Sequence, residues 1–286
     1  MIKLIASDMD GTLLNDKHLI SEGNLKAIRE AQERGMHFTI VTGRDYSMVK
    51  PFIDENKLNC EAIVMNGAEY RDKDGNILES IAIDLDKIEK IAEIMKSNNL
   101  VMEIYASNGI YITASEEETF KNYVKRVSEF NPNESREEII ELVKNHLAMV
   151  KPKYISDINE LVDAKIEIYK IMAFHDSVEF MNRLKEQISG LGSLSVASTF
   201  PTNIEINSID AQKGIILAKV IEKIGIKKDE VIVLGDSYND YSMFTEFKNS
   251  FAMANAVDEI KEIATYITDT NYNDGVAKAI YQAFEM

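Results

Sequence analysis

Short apolar runs and segments of helical period alternate at both ends of this 286-residue chain, and the stretch between them breaks the alternation. Alternation of this kind commits a chain to parallel strands, because consecutive parallel strands must be joined by a crossover, usually a helix. Residues 3–7 read as a buried strand. Ser21 reads as the cap of a helix whose Leu25, Ile28 and Ala31 share one face, and Gly35 as its end. Residues 37–41 form the next strand, a helix covers much of residues 45–56 despite Pro51, and residues 62–65 form a third strand. Asp72-Lys73-Asp74-Gly75-Asn76 has the composition of a hairpin tip.

The pattern returns late in the chain. Ile215, Leu217, Ala218 and Ile221 have helical spacing, residues 231–234 are an unbroken aliphatic run, and residues 251–253 form a short strand. Val257, Ile260 and Ala264 mark another helix, and Gly275 precedes a last one. Between these halves, residues 84–190 mix two amphipathic helices with a hairpin turning at Ser107-Asn108-Gly109, a strand at 166–174 and a helix near 178–188. The expectation is an α/β fold: a Rossmann-like parallel-sheet core from residues 1–83 and 191–286, interrupted by an inserted α+β unit at 84–190.

Charge narrows the partners. The formal net charge is −16, so nucleic acid and anionic membrane surfaces are poor partners, and no apolar run approaches the length of a membrane span. An acidic protein that handles an anionic ester needs a local positive centre, a metal or a well-placed lysine. Cys60 is the single cysteine, which excludes an intrachain disulfide and fits a reducing compartment. The N-terminal residues carry no signal-peptide pattern, so a cytoplasmic location is expected.

Asp8-Met9-Asp10-Gly11-Thr12 directly follows the first strand. A carboxylate at a strand end can attack phosphorus and form an acyl phosphate, and a turn at Gly11 can return Asp10 to the same place as a proton donor. Two such close carboxylates repel unless a cation lies between them, and oxygen-only ligands select Mg²⁺. At average composition this pattern arises by chance in roughly one protein in a few hundred, so an ordinary strand-end turn accounts for Asp-Gly but poorly for the whole motif.

Three other strand or helix ends carry polar residues of matching chemistry. Thr42-Gly43-Arg44 follows the second strand, where a hydroxyl and a bare backbone can donate to a phosphoryl oxygen. Lys213 falls in the first turn of a helix for which Asp210 reads as the N-cap. A cation there opposes the helix dipole unless it faces an anion. Gly235-Asp236-Ser237-Tyr238-Asn239-Asp240 follows the most hydrophobic strand. A helix cap explains one of its acids but not both, and Asp236 is the better metal ligand.

Taken together, these segments resemble the four motifs of the haloacid dehalogenase-like phosphohydrolases, in the same order, and Met253-Ala254-Asn255-Ala256 and Asp274-Gly275-Val276 resemble further family segments. Only about thirty residues separate Asp10 from Thr42, whereas Arg44 to Lys213 leaves room for a domain, which resembles the Cof-type branch with a type IIB cap. The resemblance implies a Mg²⁺-dependent phosphatase acting on a small phosphorylated metabolite. Asp8 is then the nucleophile and Asp10 the general acid and base. It also implies Mg²⁺ ligands in Asp8, the Asp10 carbonyl and Asp236, with Asp240 helping through water. Thr42, Gly43, Lys213, Asn239 and the Met9 amide would hold the phosphoryl group.

Two rivals keep the phosphorylated aspartate. A phosphomutase would pass the group to another sugar, and nothing in the sequence excludes it. A signalling receiver module would keep the phosphoryl group, but Asp10 and the long insertion have no place there. His18, His37, His146 and His175 are scattered and read as surface or strand residues. Glu116-Glu117-Glu118 reads as a solvated first helical turn, and Tyr105, Tyr111 and Tyr169 as packing within the insertion.

Overall fold

A computed structural model describes residues 1–131 and 134–286. The first part of the chain runs through β1 (Leu4–Ser7), α1 (Glu22–Glu33), β2 (His37–Val41), α2 (Tyr46–Asn56), β3 (Glu61–Val64), β4 (Glu69–Arg71) and β5 (Ile77–Ser80). The middle comprises α3 (Leu85–Ser97), β6 (Met102–Ala106), β7 (Gly109–Ile112), α4 (Glu116–Phe130), α5 (Arg136–Val150) and β8 (Lys153–Tyr154). It continues through α6 (Asn159–Asp163), β9 (Ile168–Phe174), α7 (Val178–Ser189), β10 (Leu194–Ala197) and β11 (Asn203–Ser208). The last part holds α8 (Lys213–Lys223), β12 (Val231–Gly235), α9 (Tyr241–Glu246), β13 (Ser250–Ala252), α10 (Asp258–Ile263), β14 (Tyr266–Ile267) and α11 (Gly275–Ala283).

The two ends of the chain build one sheet in the order β14-β13-β12-β1-β2-β3-β4-β5. The first six of these strands are parallel, and β4 and β5 add an antiparallel hairpin at the edge. β1 and β12 are buried along their whole length, as strands covered on both faces must be. From β1 the chain steps outward to β2 and β3 and later returns to the other side of β1 as β12. The sheet therefore reverses direction between β1 and β12, and in open α/β sheets the crevice at that reversal is the usual ligand site.

The middle forms a second sheet, β10-β11-β9-β6-β7-β8, antiparallel except for the β7–β8 pair. Its own hydrophobic cluster is centred on Ile104, Ile171, Met181 and Ile204. This sheet moves the expected boundary at residue 190, because β10 and β11 lie beyond it and pair with β9. The insertion so defined ends near Ser208. Residues 194–208 read as the start of the core because pairing with a strand thirty residues earlier leaves no local trace. α5 also escaped the sequence reading. Its Ser135–Glu138 capping box is complete, but only Ile139 and Val143 are buried, too few to mark an apolar face.

The two units are packed together. Tyr105, Ile110 and Tyr169 of the insertion belong to the hydrophobic cluster of the first sheet. Asn207 donates to the carbonyls of Met65 at 3.0 Å and Tyr169 at 2.9 Å, tying one unit to the other. Cys60 is buried just before β3, and burial pushes its thiol up to about 12, which leaves it a packing residue rather than a nucleophile. No helix among the described residues is long and apolar enough to cross a membrane.

Candidate active site

β1 delivers Asp8 to the crevice, nearly buried, with its N–H still donating to the Leu234 carbonyl of β12 at 3.0 Å. The chain then turns at Gly11, whose φ of +76° favours glycine, and a Cβ there would lie 2.3 Å from an Asp236 oxygen. This turn lets the Thr12 hydroxyl donate to Asp236 Oδ1 at 2.9 Å. Asp236 and Asp240 stand at the end of β12. Asp240 Oδ2 accepts from the backbone N–H groups of Asp236 and Ser237 at 2.9 and 3.0 Å.

Lys213 joins the two halves. It is fully buried, and its Nζ lies 2.6 Å from Asp8 Oδ1 and 2.6 Å from Asp240 Oδ1. Lys213 is the first residue of α8, and the N-cap is Gln212 rather than the expected Asp210. The extended backbone of Gln212 lets its carbonyl accept from Ile216, while Asp210 lies in the turn before it, where Ala211 bonds back to Ser208. Gln212 supplies no side-chain cap. A cation at this position opposes the helix dipole, and two carboxylates offset that cost.

One oxygen each from Asp8, Asp236 and Asp240 lie within 4.8 Å of one another. Burial raises the Asp8 carboxyl well above the usual range against the pull of Lys213, and Asp240 and Asp236 add to the rise. Burial and then the neighbouring Asp240 push Asp236 up to about 7. Lys213 is held above the ordinary lysine value, because its two carboxylate partners outweigh burial. Crowded acids with one lysine among them carry surplus negative charge, and an oxygen-only donor set suits a hard divalent cation such as Mg²⁺. Among the described residues, Asp8 Oδ2 and Asp236 Oδ2 have no hydrogen-bond partner, whereas both oxygens of Asp240 are engaged. That division leaves Asp236 Oδ2 free to meet a cation directly, suits an outer role for Asp240, and leaves Asp8 one unpaired oxygen.

Asp10 lies outside this cluster of carboxylates. Arg44 grips it, with Nε on Oδ2 at 2.7 Å and Nη2 on Oδ1 at 2.5 Å. Burial would raise Asp10, but the hydrogen bonds and charge of Arg44 outweigh it and hold the carboxyl below the ordinary range. Sequence reasoning gave Arg44 no role, although an arginine immediately after Thr42-Gly43 is a natural partner for a strand-end carboxylate.

Thr42, Gly43 and Asn239 converge from the ends of β2 and β12. Thr42 Oγ1 accepts from the Arg44 N–H at 3.2 Å. A Cβ on Gly43 would stand 2.8 Å from Asn66 Oδ1, which itself accepts from Asn239 Nδ2 at 3.2 Å. Asn66 was also missed. It follows β3 with a φ of +60°, and its Asn-Gly dipeptide was a turn signal that could have marked it.

Asp8, Asp10, Thr42, Gly43, Asp236 and Asn239 line one side of a cavity of about 650 Å³. The insertion supplies the other side, including Glu103, Tyr105, Arg126, Lys170 and Phe174. His18, an exposed residue as expected, and the half-buried His146 of α5 also line this cavity. Burial lowers the His146 imidazole, whose ring lies 5.3 Å from that of Tyr123. Tyr105 reaches the cavity wall, whereas Tyr111 and Tyr169 lie outside it. Met9 is fully buried in the hydrophobic cluster of the first sheet.

Residues 5–280 match the family model described as haloacid dehalogenase-like hydrolase. The chain is 34% identical over 279 residues to the 5-amino-6-(5-phospho-D-ribitylamino)uracil phosphatase YcsE of Bacillus subtilis, covering 98% of this chain and 94% of that one. It is 25% identical to the pyridoxal phosphate phosphatase YbhA of Escherichia coli, covering 98% and 97%. A solved haloacid dehalogenase-like hydrolase from B. subtilis superimposes with a TM-score of 0.88 at 30% identity, over 98% of this chain and 99% of that one.

Proposed function

The chain belongs to the haloacid dehalogenase-like hydrolases, and on that premise we propose that it hydrolyses the phosphate monoester of a small metabolite through an aspartyl phosphate on Asp8. The observation that carries this reading is the position of Lys213, which binds Asp8 Oδ1 and leaves Oδ2 as the attacking oxygen. Asp8 Oδ2 forms a bond to phosphorus as the ester oxygen departs, and Asp10 gives that oxygen its proton. Asp10 then takes a proton from water, the water oxygen attacks phosphorus, and Asp8 is released with inorganic phosphate.

The remaining side chains position and neutralise. Thr42, Gly43, Asn239 and the Met9 amide would donate to phosphoryl oxygens, and Lys213 would offset their charge as the bond changes. A Mg²⁺ held by Asp8, Asp236 and the Asp10 carbonyl, with Asp240 behind, would supply further charge neutralisation at the phosphoryl group. Arg44 favours the ionised form of Asp10, the form that serves as base in the second step, so the proton given in the first step is held against that pull.

The leaving group faces the insertion. A cavity of about 650 Å³ suits a small metabolite, and its far wall sets Arg126 over the Phe174 ring at 3.7 Å and the Tyr123 ring at 4.2 Å. The Arg126–Glu103 pair, packed on these rings, offers donors and acceptors beside apolar surface, which favours a leaving group that carries a polar ring. The substrates named for YcsE and YbhA both have one. The test is phosphate release from a panel of monoesters that contrasts ring-bearing substrates, these two included, with simple sugar phosphates. Turnover of many equivalents is expected, highest for the ring-bearing members. A plateau near one phosphate per protein would overturn hydrolysis, and equal rates across the panel would overturn the substrate class.

A further inference from the structure

Lys170 lies on β9 of the insertion and is almost completely buried, yet its Nζ reaches across to the Gly43 carbonyl in the first unit at 2.9 Å. The same ammonium is 2.6 Å from Glu205 Oε2 on β11. Glu205 cannot swing freely, because Asn66 Nδ2 donates to it at 2.6 Å and Thr199 Oγ1 at 2.5 Å. A buried ion pair with this many fixed partners holds one geometry, and it costs desolvation that packing alone would not require.

The Gly43 carbonyl and the Arg44 N–H are the two ends of one peptide group. A cation on the carbonyl polarises that group and strengthens its N–H as a donor. The N–H donates to Thr42 Oγ1, which occupies the lone pair on that side and turns the hydroxyl proton away from it. Among the described residues that proton meets no acceptor, and Thr42 lines the cavity beside Asp8. We infer that Lys170, backed by Glu205, is a positioning residue for the phosphate loop: through the Gly43–Arg44 peptide it aims the Thr42 hydroxyl at the phosphoryl group. The inference rests on the phosphatase reading of the site. It makes the insertion part of the phosphate-binding machinery as well as the wall that faces the leaving group.

The experiment is a double-mutant cycle in the full chain. One arm replaces the pair, Lys170→Met with Glu205→Gln, which leaves no unbalanced buried charge. The other arm is Thr42→Val, which removes the hydroxyl and keeps the shape. With Thr42 present, loss of the pair should lower kcat/KM by about ten-fold, by the same factor for every substrate, and in the Thr42→Val background by less than about two-fold. Equal factors in both backgrounds would overturn the relay, as would a null effect of Thr42→Val. A factor that changes from substrate to substrate would instead make Lys170 a contact of the leaving group and would also overturn it. If melting shows the pair variant unfolded, Lys170→Arg, which keeps the charge but displaces it, is put through the same cycle and judged by the same criterion. Reading the cycle a second time from the affinity for inorganic phosphate separates the two proposals. Coupling in phosphate binding without hydrolysis of any monoester would sink the phosphatase reading and leave the relay standing. Hydrolysis without coupling would do the reverse.

Discussion

Arg44 and Asp10 form a two-point contact, Nε to Oδ2 at 2.7 Å and Nη2 to Oδ1 at 2.5 Å, that keeps the half-exposed Asp10 carboxyl below the ordinary range against the desolvation that would raise it. The contact favours the ionised form, which is the form needed to take a proton from water when the aspartyl phosphate breaks down. Removing the guanidinium by Arg44→Gln should therefore raise Asp10 and protonate it at mildly acid pH. Single-turnover breakdown of the intermediate should slow more at pH 5 than at pH 8, with the acid limb moving up by about one unit or more. An acid limb in the same place as wild type would remove Arg44 from this role.

Asp8→Asn should abolish turnover of every phosphate monoester, by at least about 10³-fold, while leaving the protein folded. The amide keeps the shape and still accepts from Lys213, but it has no carboxylate oxygen to attack phosphorus. Phosphate release and a thermal melt on the same preparation check both halves. Turnover within ten-fold of wild type would rule out Asp8 as the nucleophile.

Asp236 is raised to about 7 by burial and Asp240, and this gives the cation site a signature in stability. A carboxyl raised in the folded state binds its proton more tightly than in the unfolded chain. Its effect is then a loss of stability as pH rises from about 4 to about 7. A bound Mg²⁺ removes that penalty, so Mg²⁺ should raise Tm more at pH 8 than at pH 5, and Asp236→Asn should erase most of the difference. Melts in chelator and in Mg²⁺ measure it, and equal Mg²⁺ shifts at both pH values would count against Asp236 as a ligand.

Glu205 has the opposite sign. Burial would raise it, but the Lys170 charge and the hydrogen bonds from Lys170, Thr199 and Asn66 bring it to about 2. The stability it contributes is present above its unfolded value near 4.5 and lost as pH falls through 2, on the order of 3 kcal/mol. The Lys170→Met, Glu205→Gln protein should show a flatter acid limb in denaturant unfolding between pH 5 and pH 3. The same slope in both proteins would mean that the pair does not set acid stability.

Lys213 and Arg126 should separate chemistry from selectivity. Lys213 touches Asp8, and every substrate presents the same phosphoryl group, so Lys213→Ala should lower kcat/KM for all substrates by a similar factor. Arg126 donates to Glu103 at 2.9 Å on the far wall of the cavity, so Arg126→Met should re-rank substrates. Re-ranking by Lys213→Ala together with unchanged ratios in Arg126→Met would reverse the assignment.

What the sequence determined by itself is whatever depends on the end of one element. Asp8, Thr42 and Asp236 each follow an apolar run, and a parallel sheet puts the ends of its strands on one edge, so their meeting is legible in the sequence. Lys213 was legible for the same reason, although its cap was misplaced by two residues because an aspartate and a glutamine are both near the helix start and only the backbone decides between them. Tertiary structure decided the rest. Lys170 and Gly43 meet across 127 residues, and a lysine inside an apolar strand could have been a solvated edge residue until β9 was laid against Thr42-Gly43-Arg44. The same holds for β10 and β11, whose membership in the second sheet depends on pairing with β9. Local pattern fixes where a side chain leaves its element. Which distant charge it then meets depends on how two separately folded surfaces dock, and no short stretch of sequence carries that information.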